Sequence, residues 1–287
     1  MTITSSPVRS VSAAATVRAL RRAVKRPTVR RMATHRERIL DQFTRQAMPF
    51  STAPGIKDER ALELLVEASG AGPTDSVLDV ACGPGLVVAA FARVAAHATG
   101  IDVTPAMLAR ARQVTTGLTN VTFDQGDVLP LPYPDASFSV VVSRFAFHHF
   151  PDPPAVIAEM RRVCRPGGRV VVCDLTASDD PAKAAAFHRI EMLRDPSHVR
   201  ALTLADLEGL FTGAGLPPPA ATFYHLPFEL EGLLSRSFPR PEDVTVIRAA
   251  YVASAEDDAL GLGTRRVGEE IRAAYPVVIL AAPSPGA

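Results

Sequence analysis

Val77-Leu78-Asp79-Val80-Ala81-Cys82-Gly83-Pro84-Gly85 is the stretch from which the rest of the chain is read. The short, mostly apolar run 77–80 suits a strand buried on both faces, as in a parallel sheet. The Gly-Pro-Gly turn ends it, and 86–96 then takes up helical spacing. Glycines between a strand and a helix let the backbone approach a ligand with no Cβ in the way. The free N–H groups of the helix add positive potential there.

Working outward, strand-like and helix-like segments alternate. Residues 61–68 place Leu62, Leu65 and Val66 on one helical face and stop at Gly70, Gly72 and Pro73. A second strand at 99–103 ends in Ile101-Asp102. Thr104 and Pro105 then open a helix as N-cap and first helical residue, and it runs through Met107, Leu108 and Ala111. Strands are expected at 121–123, 137–143 and 170–173, with a helix at 154–163 and an Arg-Pro-Gly-Gly turn at 165–168. Further on come a helix at 203–214, capped by Thr203 with Asp206 at N3, a sixth strand at 221–226, a helix at 241–255 and a seventh strand at 275–281. Such alternation means right-handed βαβ crossovers and a parallel sheet covered on both faces. Ligands of these sheets bind beyond the carboxyl ends of the strands, where the strand order reverses.

At 287 residues and 47% hydrophobic content, the chain can fill one substantial core. Residues 1–31 hold eight Arg or Lys and no acid; set against a formal net charge of +1, this leaves −7 on the remainder. That argues against a nucleic-acid-binding surface across the body. The segment fits three readings: a transit peptide, a disordered basic arm, or sequence upstream of a working start at Met32, where a helical pattern (Ile39, Leu40, Phe43) begins. The fold is taken as 32–287. Cys82, Cys164 and Cys173 are odd in number and lack C-x-x-C spacing, which suits a reducing, cytoplasmic setting. No apolar run approaches the roughly 20 residues that span a bilayer.

For the loop itself, a dinucleotide fingerprint would use Gly83 and Gly85 and then demand glycine where the chain has Val88. Asp79 also sits badly beside a pyrophosphate and suits a ligand carrying an ammonium group. Taken alone, Gly-Pro-Gly is an ordinary tight turn.

Four further pieces follow in order: Gly100-Ile101-Asp102; Pro105-Ala106-Met107-Leu108; Gly126-Asp127-Val128 before Leu131-Pro132-Tyr133; and Arg161-Arg162-Val163-Cys164-Arg165-Pro166-Gly167-Gly168. Across 56–176 this set resembles the class I S-adenosylmethionine (SAM)-dependent methyltransferases, and among them small-molecule enzymes such as the ubiquinone/menaquinone C-methyltransferases. The resemblance implies an α/β, Rossmann-like, mostly parallel seven-stranded sheet with helices on both faces and its last strand antiparallel, at the sheet edge. It implies SAM as cofactor and a small-molecule acceptor; a monomer or homodimer is expected, and charge and apolar run length add the expectation of no nucleic-acid partner and no membrane span. Asp79 is expected to face the methionine ammonium, with Ala81, Gly83 and Gly85 around it. Asp102 would accept from the ribose hydroxyls beside Val103, and Met107 would pack on adenine. Asp127 would accept from the adenine amino group near the Val128 backbone, and Ser143 completes the set. The chain departs from the family at Ala81, often glycine, and at Pro84, often Thr or Ser, where one backbone donor is lost. Ordinary readings stand beside these: turn chemistry for Asp102 and Asp127, and a core methionine for Met107.

Methyl transfer needs a base only when the nucleophile arrives protonated. Ser143-Arg144-Phe145-Ala146 replaces the Asn/Asp-Pro-Pro-Tyr/Phe tetrapeptide of enzymes acting on base or glutamine amino groups. The aromatic residues there would make an apolar wall, and His148 or His149 could be the base. His198, in the polar run 194–200, is a third candidate. His188, Glu191 and Asp195 fall on one helical face, read as solvated. No recognised metal-ligand spacing appears, and no metal is expected. Segments 177–200 and 226–255 are expected to cover the site. A non-catalytic ligand-binding protein on this fold and an NAD(P)-dependent oxidoreductase are the rival functions.

Overall fold

The computed structural model describes residues 34–285; the basic segment 1–31 and the Met32 start lie outside them. The first described helix, α1 (His35–Thr52), is followed by α2 (Glu59–Ser69), capped at its start by the Asp58 carboxylate and at its end by Gly70 in the left-handed conformation. The sheet then begins: β1 (Ser76–Val80), α3 (Leu86–Ala92), β2 (His97–Asp102), α4 (Pro105–Val114), β3 (Val121–Gln125), β4 (Phe138–Arg144), α5 (Pro153–Val163) and β5 (Cys164–Leu175). Helices α6 (Pro181–Arg194) and α7 (Leu204–Gly213) lead to β6 (Ala220–Glu229). Then come α8 (Leu230–Ser237), α9 (Pro241–Asp257), β7 (Arg265–Val267) and β8 (Glu270–Pro283).

The strand order is β3-β2-β1-β4-β5-β8-β6, parallel from β3 to β5, and it reverses between β1 and β4. Alternate residues face opposite ways, so one sheet feeds two cores. Val77, Val140, Val142 and Val171 pack with Leu65 of α2 and Phe91 of α3. Leu78, Val141, Val170 and Val172 pack with Ile157 and Met160 of α5 and Phe211 of α7. Burying each such side chain contributes about 1.5–3 kcal/mol, which is why the continuous apolar strands hold the centre.

Four details differ from the sequence reading. The antiparallel last strand lies between β5 and β6 rather than at the rim, because its Val277-Val278-Ile279-Leu280 run is apolar on both faces and needs cover on both sides. An eighth, three-residue strand, β7, turns back onto β8 through Gly268 at φ +61°. Helix α3 stops at Ala92, short of 96, since Ala96 and His97 donate to the Asp75 carbonyl and turn the chain into β2. The 165–168 turn is a bulge within β5, where pairing jumps from Phe138 with Cys164 to Val140 with Arg169. The capping box of α7 is present in both halves. Among the described residues no helix is long and apolar enough to cross a membrane.

Gly85, at φ +79°, brings the start of α3 against α4: a Cβ there would stand 2.7 Å from Ala111 Cβ and 3.0 Å from its Cα. Overpacking costs about 1–3 kcal/mol and the left-handed backbone about 1 more for a non-glycine residue. Gly85→Ala is therefore expected to lower stability by about 2–4 kcal/mol in urea unfolding. A loss under 1 kcal/mol would show that the helices need not approach so closely.

Candidate functional site

The loops that leave β1, β2, β3 and β4 converge on one cavity of about 450 Å³ at the reversal point of the sheet. The loop after β1 is pulled into shape by its neighbours. Cys82 N–H donates to the Ile101 carbonyl at 2.9 Å, and Gly83 N–H to Asp102 Oδ2 at 2.8 Å. Ala81 and Gly83 both take left-handed backbone, at φ +60° and +51°. A Cβ built on Gly83 meets nothing within 4 Å, so this glycine opens onto space, unlike Gly85. The position where a dinucleotide fingerprint wants its third glycine is filled by buried Val88. The clearance is supplied from β2 instead, where a Cβ on Gly100 would stand 2.9 Å from Val88 Cγ2.

Asp79, Asp102 and Asp127 all line this cavity, together with Ala81, Gly83, Val103, Met107 and Val128. Asp102 accepts from Gly83 N–H and, at 2.8 Å, from Thr104 N–H; burial pushes its pKa up while these two donors pull it down. Asp79 is 2% exposed, and its Oδ2 has no hydrogen-bond partner among the described residues. Burial first, then the neighbouring Asp102 charge, raise its pKa well above the usual carboxylate range, against the pull of Arg144. Asp127 is half-exposed and accepts from Val128 N–H and from Arg36 Nη1, each at 2.8 Å.

Two expected cofactor residues lie elsewhere. Gly85 is turned to the α3–α4 contact. Ser143 is fully buried and donates to the Val80 carbonyl at 2.9 Å, tying the tips of β1 and β4 together outside the cavity wall.

The sequence reading left Arg144 and helix α1 unassigned. Arg144 ends β4, is 8% exposed and lines the cavity; Nη1 donates to the Ile56 carbonyl at 2.9 Å, and the guanidinium lies 4.4 Å from the Phe145 ring centre. Its Nε and Nη2 have no partner among the described residues. A basic residue at the tip of an apolar strand was the available signal. Helix α1 contributes Ile39, Phe43 and Phe50 to the cavity and is fastened by Arg36 to Asp127, His35 Nε2 to the His149 carbonyl (2.8 Å), and Arg110 to Ser51 (2.8 Å).

The three histidines separate. His148 lies outside the cavity, its Nδ1–H given to Asp174 at 2.6 Å in a buried pair. His198 also lies outside it; both ring nitrogens are buried without partners, and burial first, then His148 and His149, depress its pKa. His149 alone lines the cavity. Ser197 gives its one hydroxyl proton to Asp195, so the 3.2 Å contact between Ser197 Oγ and His149 Nδ1 requires the proton on Nδ1 and leaves Nε2 as a lone pair. Burial, then His148, bring His149 down to about 4. Glu191, read as solvated, is fully buried and bonded to Arg194, because the end of α6 packs under Tyr275 rather than facing water.

A protein-family model described as a methyltransferase domain matches residues 78–172. YcgJ of Bacillus subtilis, described as an uncharacterized methyltransferase, is 31% identical over 221 residues, 74% of this chain and 87% of that protein. The crystal structure of YcgJ matches with a TM-score of 0.74 at 24% identity, covering 80% of this chain and 100% of that one. The demethylmenaquinone methyltransferase of Mycobacterium sp. (strain JLS) is 35% identical over 135 residues, 47% of this chain and 56% of that protein. The [4+2]-cyclase SpnF shares the fold at a TM-score of 0.56 and 21% identity, covering 80% of this chain and 81% of that one.

The Asp79 environment has a measurable cost. A carboxyl whose folded pKa is raised contributes most below its unfolded value of about 3.9 and loses that contribution as pH rises through the folded value. Asp79→Asn, which does not titrate, is thus expected to be more stable than the parent at pH 7–8, with the gain shrinking toward pH 4. Thermal unfolding across this range checks it; a gain that grows on acidification would contradict the assignment.

Proposed function

From the premise that the chain belongs to the class I S-adenosylmethionine-dependent methyltransferases, we propose that it methylates a small-molecule acceptor within the cavity at the strand tips. The observation that carries this reading is the convergence of Asp79, Asp102 and Asp127 on one cavity in which the buried Asp79 Oδ2 lacks a partner. An unpaired buried carboxylate calls for a cation. SAM offers an ammonium, and its methionine carboxylate suits the two unpartnered nitrogens of Arg144. In this reading Asp102 takes the ribose hydroxyls, Met107 the adenine face and Asp127 the adenine amino group, with Ala81, Gly83, Val103 and Val128 as backbone and wall. The open space at Gly83 suits close approach of a ligand.

When bound, SAM supplies an electrophilic methyl group on a sulfonium. The chain's part is to hold the acceptor in line behind it and keep water out. Orientation of this kind is worth roughly 7–11 kcal/mol in well-aligned systems. The wall made by Ile39, Phe43, Phe50 and Phe145 is apolar enough to do so. His149 Nε2 takes the acceptor's proton, and the Asp195 charge, transmitted through Ser197, steadies the imidazolium that forms. The expected cover by 177–200 and 226–255 is not what roofs this cavity: no residue of either lines it, helix α1 does, and the first segment acts from behind through Ser197 and Asp195. Three buried free thiols, Cys82, Cys164 and Cys173, suit a reducing cytoplasm.

Calorimetric titration with S-adenosylhomocysteine (SAH) tests the cofactor assignment. Asp102→Ala is expected to weaken binding at least tenfold, about 1.4 kcal/mol. Tight NADH binding with none of SAH would replace the reading with an oxidoreductase.

His149→Ala is expected to lower kcat by about 10²–10⁴-fold while SAH affinity stays within twofold. In the parent, kcat/KM at saturating SAM should keep its acid limb near the pKa of about 4 that burial imposes on His149. Methyl release from labelled SAM is the readout, and an acid limb at the ordinary 6.5 would move the proton to another group.

A further inference from the structure

A second cavity, of about 90 Å³, adjoins the first and shares with it Phe43, Phe50, Ile56, Phe145 and His149. Roughly 150 Å³ holds a benzene-sized guest, so this space takes a small group rather than a whole substrate. Its wall mixes apolar with polar residues, and the charged ones are Arg194, Asp195 and Arg236.

These three differ in how they are satisfied. Arg194 is committed: Nε donates to both Glu191 oxygens at 3.0 Å, and Nη1 to Ser237 Oγ at 3.0 Å. Asp195 accepts from Ser197 through both its hydroxyl and its N–H. Arg236, on α8, is half-buried and makes no hydrogen bond or ion pair with any described residue. Burial first, then Arg194, depress its pKa, against the pull of Tyr275 and Glu229. A partly desolvated guanidinium with no acid bonded to it, in the wall of a space that holds only a small group, is short of an anion.

Resting on the reading of the larger cavity as the cofactor site, we infer that the second cavity is the anion subsite of the acceptor. The substrate is a small carboxylic acid, with an apolar body against Phe43, Phe50 and Phe145 and its carboxylate on Arg236. The shared wall then does two jobs. It grips the body between the two cavities, and it presents His149, which borders both, to the atom that receives the methyl group. A flat carboxylate matches the planar fork of arginine better than the point charge of lysine.

The test is calorimetry on the full chain with phenyl-terminated alkanoic acids of two to six carbons and their primary amides, each with and without saturating SAH. At least one acid should bind about tenfold more tightly than its own amide. Arg236→Gln should bring acid and amide within twofold, and Arg236→Lys should retain part of the preference. Both variants should keep the parent's melting temperature and SAH affinity. Equal affinities for every acid and amide, no binding of any acid, or an Arg236→Gln variant that discriminates as the parent does would overturn the subsite. If SAH fails to bind while the acid preference persists, the cofactor reading falls and the anion site stands. If SAH binds with no acid preference, the subsite alone falls.

Discussion

The site depends on one buried carboxylate that faces two ways. Asp102, at the tip of β2, accepts from Gly83 N–H on one oxygen and from Thr104 N–H on the other. Hydrogen bonds to a charged group contribute about 1.5–3 kcal/mol each. Together they pin the loop leaving β1 to the start of α4. With Cys82 N–H on the Ile101 carbonyl, the pairing of β1 with β2 is carried past the last strand residue, and Gly83 is left facing open space. The side chain that shapes the cradle also lines the cavity, so shape and recognition cannot be varied separately at this position.

Around that anchor the fold tolerates several local costs. Ala81 and Phe145 sit at the tips of neighbouring strands β1 and β4 in left-handed backbone, φ +60° and +56°, a region that costs a residue with a Cβ about 1 kcal/mol or more. Each is held by a backbone bond at the turn, Cys82 N–H to the Ile101 carbonyl and Phe145 N–H to the Cys173 carbonyl. Asp79 Oδ2 and two nitrogens of Arg144 are buried without partners, and such groups cost about 1–3 kcal/mol each when left unmade. All four residues border the same cavity. Local rules broken together in one place are what a ligand site is expected to show, and they support the cavity as the proposed cofactor site.

The parallel sheet was legible because its signal is short-range. Apolar strands such as Val77–Val80 alternate with helices whose starts are written into the chain, Pro105 at the first position of α4 and Thr203 with Asp206 at α7, although the Thr104 hydroxyl expected to cap α4 makes no capping bond. Asp79, Asp102 and Asp127 could be proposed together because each stands at or just beyond the tip of a successive strand, and strand tips converge at a switch point. What could not be read is what depends on distance along the chain. Gly83 and Gly85 look equivalent in sequence, yet one opens to the cavity and the other meets Ala111, a residue of the next helix. Ser143 stands at a strand tip like the aspartates, but side-chain alternation turns it into the β1–β4 contact. Arg144, one residue on, points the other way and lines the cavity. Glu191 had a helical spacing that suited solvent, and only the packing of α6 beneath Tyr275 buries it.

The same limit explains why three histidines looked alike. His148 and His149 are adjacent, yet the single 3-10 turn that carries them gives one to Asp174 of β5 and the other to Ser197. The polar run 194–200 acts mainly from behind this turn: Val199 and Arg200 N–H groups donate to the His148 carbonyl, and Ser197 and Asp195 set the His149 tautomer. From the other side, His35 and Phe43 of α1 hold the same turn through the His149 carbonyl and an edge-on ring contact at 5.0 Å. His149 therefore stands where the roofing helix, the strand tips and the arm after α6 meet. Motion of either α1 or the 194–200 arm would move His149 Nε2, so in its proposed role as base His149 is aligned only while both segments are seated.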